Sequence, residues 1–60
     1  MIKLGEKLKE RGYNAIDIEV KNIYIELEGG ETIKTKPMAT VRIDVDDKKK
    51  IYLIMGRFNI

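Results

Sequence analysis

A chain of sixty residues holds one domain, buries only about 60% of the surface its unfolded form exposes, and so has a thin margin of stability. Cysteine and histidine are absent, which excludes disulfides, thiolate zinc sites and the commonest transition-metal ligand; a partner subunit is then the usual support still open. Twelve basic against ten acidic residues, a net of +2, are too evenly mixed for a chain built to coat a polyanion.

The first expected element is a short helix over residues 2–12. Met1, Leu4 and Leu8 recur at spacings of three and four, which puts them on one stripe. Gly12 suits the left-handed residue that ends a helix, with Tyr13 folding back towards Leu8. The start carries no Ser, Thr, Asp or Asn cap, and Gly5 inside the helix costs about 1 kcal/mol relative to alanine.

From Ala15 the period changes to two. Ile16, Ile18 and Val20 alternate with Asp17 and Glu19, and Ile23, Ile25 and Leu27 with Tyr24, Glu26 and Glu28. Past Gly29-Gly30, one face of a long run carries Ile33, Thr35, Pro37, Ala39, Val41, Ile43 and Val45; Ile51, Leu53 and Met55 follow Asp47-Lys48-Lys49. The apolar parity slips at Lys21-Asn22, which is either a hairpin turn or a bulge. A hairpin there sets Asp17 opposite Glu26, a like-charge pair. A continuous strand turning at Gly29-Gly30-Glu31 instead sets Glu26 opposite Lys34 and, with one bulge near Val20-Lys21, Asp17 opposite Arg42.

The bulged reading is the better one and gives strands over residues 15–28, 32–46 and 50–60. Pro37 should break pairing, because it has no N–H to give a ladder. A three-residue loop at Asp47-Lys48-Lys49 aligns Val45 with Ile51, Ile43 with Leu53, and Asp46 with Lys50; Gly56 then returns Phe58 and Ile60 to the inner face. The expected architecture is α+β: a short N-terminal helix followed by a strongly curved antiparallel β-meander of three, or at most four, strands.

One imbalance carries functional weight. A helix of nine or ten residues covers about 14 Å by 10 Å. Three strands present a face of roughly 14 Å by 23 Å, on which about a dozen aliphatic side chains lie. Monomers rarely leave such a patch in water. Either the sheet curls over itself like a half-barrel, or a second molecule covers the remainder. The second is the stronger expectation, so the partners expected are a second copy, forming a homodimer, and a protein target.

Catalytic chemistry is poorly supplied. Without Ser, Cys or His, nucleophilic catalysis falls to Thr32, Thr35 and Thr40 in strand-like surroundings. The carboxylates alternate outward and are matched by cations, and the Asp44-Val45-Asp46-Asp47 cluster lacks the central Gly and terminal Glu of a calcium loop. Gly29-Gly30 precedes no helix and reads as a turn. No catalytic residue, metal site or cofactor is expected.

The interface candidates are Tyr24, Met38, Tyr52, Ile54, Phe58 and Ile60, apolar groups that interrupt the polar face or close the chain. A competing reading joins Lys34, Lys36, Arg42, Lys48, Lys49 and Lys50 with Tyr24 and Tyr52 into a sheet-face nucleic-acid surface, against which Asp17, Glu19, Glu26, Glu28 and Asp44 interleave. A structural piece of a larger assembly is the third. No apolar run approaches the ~20 residues that span a bilayer and no signal peptide is evident, so a cytoplasmic location is expected. The Lys and Ile excess fits a heat-adapted source and an AT-rich genome equally well. Size and composition suit an accessory or inhibitor protein of a phage or mobile element, acting in the host cytoplasm.

Overall fold

The computed structural model describes residues 3–58. Met1 and Ile2 of the expected helix, and the interface candidate Ile60, lie outside the described residues. Helix α1 spans Leu4–Glu10. Its end follows from Gly12, which adopts φ +95°: the Gly12 N–H donates to the Lys9 carbonyl at 2.9 Å and the Tyr13 N–H to the Leu8 carbonyl at 3.1 Å. These two bonds form the glycine-terminated stop expected from sequence.

The start is capped from outside the helix. Lys3 offers no side-chain cap; instead Asp17, twelve residues on, accepts the Gly5 N–H at 2.8 Å. Gly5 is buried there, and a Cβ on it would lie 2.8 Å from the Asp17 Cγ. The glycine that propensity scores as a cost is what lets a strand carboxylate reach the helix terminus.

Five antiparallel strands follow: β1 (Ala15–Asp17), β2 (Ile23–Glu26), β3 (Thr32–Thr35), β4 (Ala39–Asp44) and β5 (Lys50–Met55). They form two open sheets, one ordered β1-β4-β5 and one pairing β2 with β3. The α+β class holds. The strand count is higher than expected, and the strands neither curve strongly nor close into a half-barrel. Pairing is interrupted between Thr35 and Ala39, where Pro37 falls, so each of the first two expected long strands is split.

The interruption is not a bulge. Asp17 pairs with Val41 on one side of it and Ile23 with Thr35 on the other, leaving five residues in each intervening segment. With no extra residue, Ile16 rather than Asp17 faces Arg42, and Ala15 and Asp17 share the face of Val41. A one-residue shift moves every side chain of a strand to the other face. Asp17 is thereby turned towards the helix terminus it caps, and Ile16 is left exposed on the reverse.

Both turns also close one residue earlier than expected. At the first, the Leu27 N–H donates to the Glu31 carbonyl at 2.8 Å, Gly30 takes φ +95°, and Tyr24 rather than Glu26 faces Lys34. At the second, the Asp46 carboxylate accepts the Lys48 and Lys49 N–H groups, each at 2.8 Å. This side-chain turn draws Asp46 into the loop, so Asp44, not Asp46, faces Lys50, and Ile43 faces Ile51. Both errors amount to two positions of pairing and leave the facing unchanged.

The helix packs on β1 and β4. On the face it covers, Ala15, Ala39 and Val41 are buried, and Val41 is the only large side chain fully buried among the described residues. Ile33 and Thr35 are buried in the second sheet. The Thr35 hydroxyl donates to the Arg57 carbonyl at 2.6 Å, tying the segment after β5 to β3, and Gly56 makes room for that contact.

Candidate interaction surface

Strand β5 is the edge of its sheet, and the helix does not reach it. Its side chains are apolar on both faces. Ile51, Leu53 and Met55 lie on the helix side, opposite Ile43, Val41 and Ala39; Tyr52 and Ile54 lie on the reverse, opposite Arg42 and Thr40. All but the half-buried Ile54 are exposed. A near-continuous apolar run is the pattern of a strand covered on both sides, not of an edge.

The main chain of β5 is half used. The Val45 N–H donates to the Lys49 carbonyl, whereas the Asp44 N–H donates to Asn14 and the Thr40 carbonyl accepts from Ile18. Odd-numbered residues of β4 therefore bond to β5 and even-numbered ones to β1. By the alternation of an antiparallel ladder, the N–H and C=O groups of Lys50, Tyr52 and Ile54 point away from β4, to the open side.

The molecule is correspondingly extended. Its accessible surface is 5120 Å², where a folded monomer of 7.0 kDa should expose about 4,000 Å². Its radius of gyration is 12.9 Å against about 10.4 Å for a compact chain of this length, and its extents are 37 × 27 × 16 Å. The excess, roughly 1,100 Å², exceeds the ~800 Å² that each partner contributes to a standard interface.

The expected interface residues do not form one patch. Tyr52 and Ile54 are together on β5, while Tyr24 lies on β2 in the other sheet, 63% exposed. Met38 is exposed in the break before β4, with its N–H bonded to the Met55 carbonyl at 2.7 Å, and Phe58 is exposed beyond β5. Sequence reasoning placed Ile51, Leu53 and Met55 on a covered inner face. The signal that they are uncovered was the short reach of the helix, combined with the order of the strands.

The expected cations are partly engaged within the chain. Asp44 accepts from Lys50 Nζ at 3.0 Å and from Arg42 Nη2 at 3.3 Å, and Arg42 Nε lies 3.0 Å from it without the alignment of a hydrogen bond. The Lys50 hydrogen bond, opposed by partial desolvation and helped by the charges of Arg42 and Lys50, holds the Asp44 carboxyl below its ordinary pKa of 3.8. Lys34 Nζ sits 5.6 Å from the Tyr24 ring centroid, over the face a base would stack on. Lys36, Lys48 and Lys49 are exposed.

Among the described residues there is no cluster of His, Cys, Asp and Glu able to hold a metal ion, no enclosed pocket, and no helix long and apolar enough to cross a membrane. Comparison of the chain with protein-family models, curated proteins and solved structures finds no match.

Proposed function

We infer that this chain is a non-enzymatic protein-interaction module that works as a homodimer and binds a protein target. One observation carries the reading: about 1,100 Å² more surface than a compact monomer of its mass exposes, with apolar side chains concentrated on an edge strand that the helix leaves bare. The alternative of nucleic-acid binding draws less support, because Arg42 and Lys50 share the Asp44 carboxylate and Lys34 lies over one face of the Tyr24 ring. Size and composition fit an accessory or inhibitor protein of a phage or mobile element.

Sedimentation equilibrium at micromolar concentration tests the reading. The expected result is a mass twice the 7.0 kDa of the chain. A single, well-folded monomeric species up to millimolar concentration would overturn it.

A further inference from the structure

We propose that two copies of this chain join by antiparallel pairing of β5 with β5 about a two-fold axis through Tyr52, making one six-stranded sheet. The proposal rests on the homodimeric reading above and specifies its surface and register.

Three observations lead there. First, Lys50, Tyr52 and Ile54 present a row of N–H and C=O groups without partners among the described residues, along one of the two longest strands, and that strand has an open side. The opposite edge of the same sheet, β1, has three residues, so it offers little to pair with. Second, the segment Ile51–Met55 has the composition of a central strand, and pairing would make it one.

Third, charge selects the register. Only axes through a residue bring outward-pointing groups opposite one another. An axis through Leu53 sets Lys49 opposite Arg57 of the second copy, a like-charge pair at each end. An axis through Ile51 pairs only Lys50, Ile51 and Tyr52 within the strand and leaves Leu53, Ile54 and Met55 opposite the 47–49 turn of the second copy. An axis through Tyr52 pairs residues 50–54 along their whole length, with Tyr52 against Tyr52, Ile51 against Leu53 and Lys50 against Ile54, and brings Asp47 level with Arg57 of the second copy. No like charges meet in it. The lysines of the 48–50 turn flank the paired segment and discourage longer slips.

The arrangement also closes. The interface is isologous and consumes the one long open edge of the β1-β4-β5 sheet, so this pairing stops at two copies. Ile51, Leu53 and Met55 of both copies become the floor of a trough between the two helices, the surface left for a target.

Substitutions at position 52 test the register, because the chain has no cysteine of its own and, by the alternation of the ladder, the Tyr52 N–H points to the open side. Tyr52→Pro should keep the fold, by circular dichroism and thermal midpoint, and weaken dimerisation by about 10- to 100-fold, since two hydrogen bonds are lost per dimer. Independently, Tyr52→Cys should crosslink under mild oxidation, because paired Cα atoms about 5.5 Å apart suit a disulfide. Ile54→Cys should not, its two copies being roughly 14 Å apart along the strands.

A Tyr52→Pro variant that folds and dimerises like the parent overturns edge pairing while leaving the homodimer standing. Preferential crosslinking of Leu53→Cys or Ile54→Cys overturns the register, and concentration-dependent species larger than two copies overturn closure. A monomeric parent protein would instead remove the functional reading itself.

Discussion

Val41 and Leu53 sit opposite each other on neighbouring strands and face the same way, yet one is 0% exposed and the other 39%. The helix divides them. Seven helical residues extend about 10 Å, enough to lie over β1 and β4 and no further. On the covered side the residues are small where the helix closes in: Gly5, Ala15 and Ala39. On the uncovered side they are large and apolar, and the helix does not reach them. The same sheet face therefore has one half fitted to a helix of its own chain and another half whose composition makes sense against something else.

The largest effects should separate these halves. Val41→Ala removes two methyl groups from a filled site and should cost about 2 kcal/mol. That is a large part of the 3–9 kcal/mol total that ~0.05–0.15 kcal/mol per residue implies for sixty residues. Leu53→Ala should cost under about 1 kcal/mol in dilute solution, its side chain being already wet. Urea unfolding at two protein concentrations reads both. The Leu53 cost should grow with concentration, as linkage to dimerisation requires, while the Val41 cost stays fixed. Equal costs in dilute solution would mean that the helix is not what divides the face.

Gly5→Ala sharpens the comparison from the covered side, because two rules predict opposite signs. Helix propensity alone predicts a gain of about 1 kcal/mol. The geometry predicts a loss: the new methyl would stand 2.8 Å from the Asp17 Cγ, pushing the carboxylate off the Gly5 N–H it accepts from. Such a charge-assisted bond is worth about 1.5–3 kcal/mol, so the net should be a loss of roughly 1 kcal/mol. In an Asp17→Ala background the loss caused by Gly5→Ala should largely disappear, measured as a double-mutant cycle in urea. A stabilised Gly5→Ala variant would show that the cap from β1 contributes nothing.

Much of this layout was legible in the sequence, and its limits have physical causes. The helix stop at Gly12 and the break at Pro37 were local, each set by the conformational needs of one residue, and both stand where expected. The turns were displaced by one position because Asp46 and Gly30 each had a role that charge matching does not weigh, one as a side-chain acceptor and the other as the residue with positive φ. The facing of β1 was lost for a non-local reason. Its alternation, with isoleucines at 16 and 18, points those residues inward, but Asp17 is needed at the helix terminus and Ala15 beneath the helix. A pattern of apolar residues records which face is greasy, not which face a short helix will choose. Of the apolar side chains on β5, Tyr52 and Ile54 stand out in the sequence as departures from the polar face, whereas Ile51, Leu53 and Met55 follow the alternation and their exposure does not show in it.

The smallest effect concerns how β5 is held at its far end, where no helix helps. Asp44 faces Lys50 across the β4–β5 pair and accepts from its ammonium at 3.0 Å, with Arg42 on the same carboxylate. Because the folded chain holds the Asp44 pKa below 3.8, its ordinary value, the carboxylate favours the folded state only while ionised. That contribution is complete above the ordinary value and is lost as the pH falls below it through the depressed one. The thermal midpoint of the parent chain should therefore drop faster than that of Asp44→Asn as the pH is lowered from about 5 towards about 2, and the two curves should converge. Added salt should shrink the difference, since the group sits near the surface. Parallel curves would mean that the Asp44 contacts do not hold this end of β5, leaving that to the backbone ladder and the apolar pairs across it.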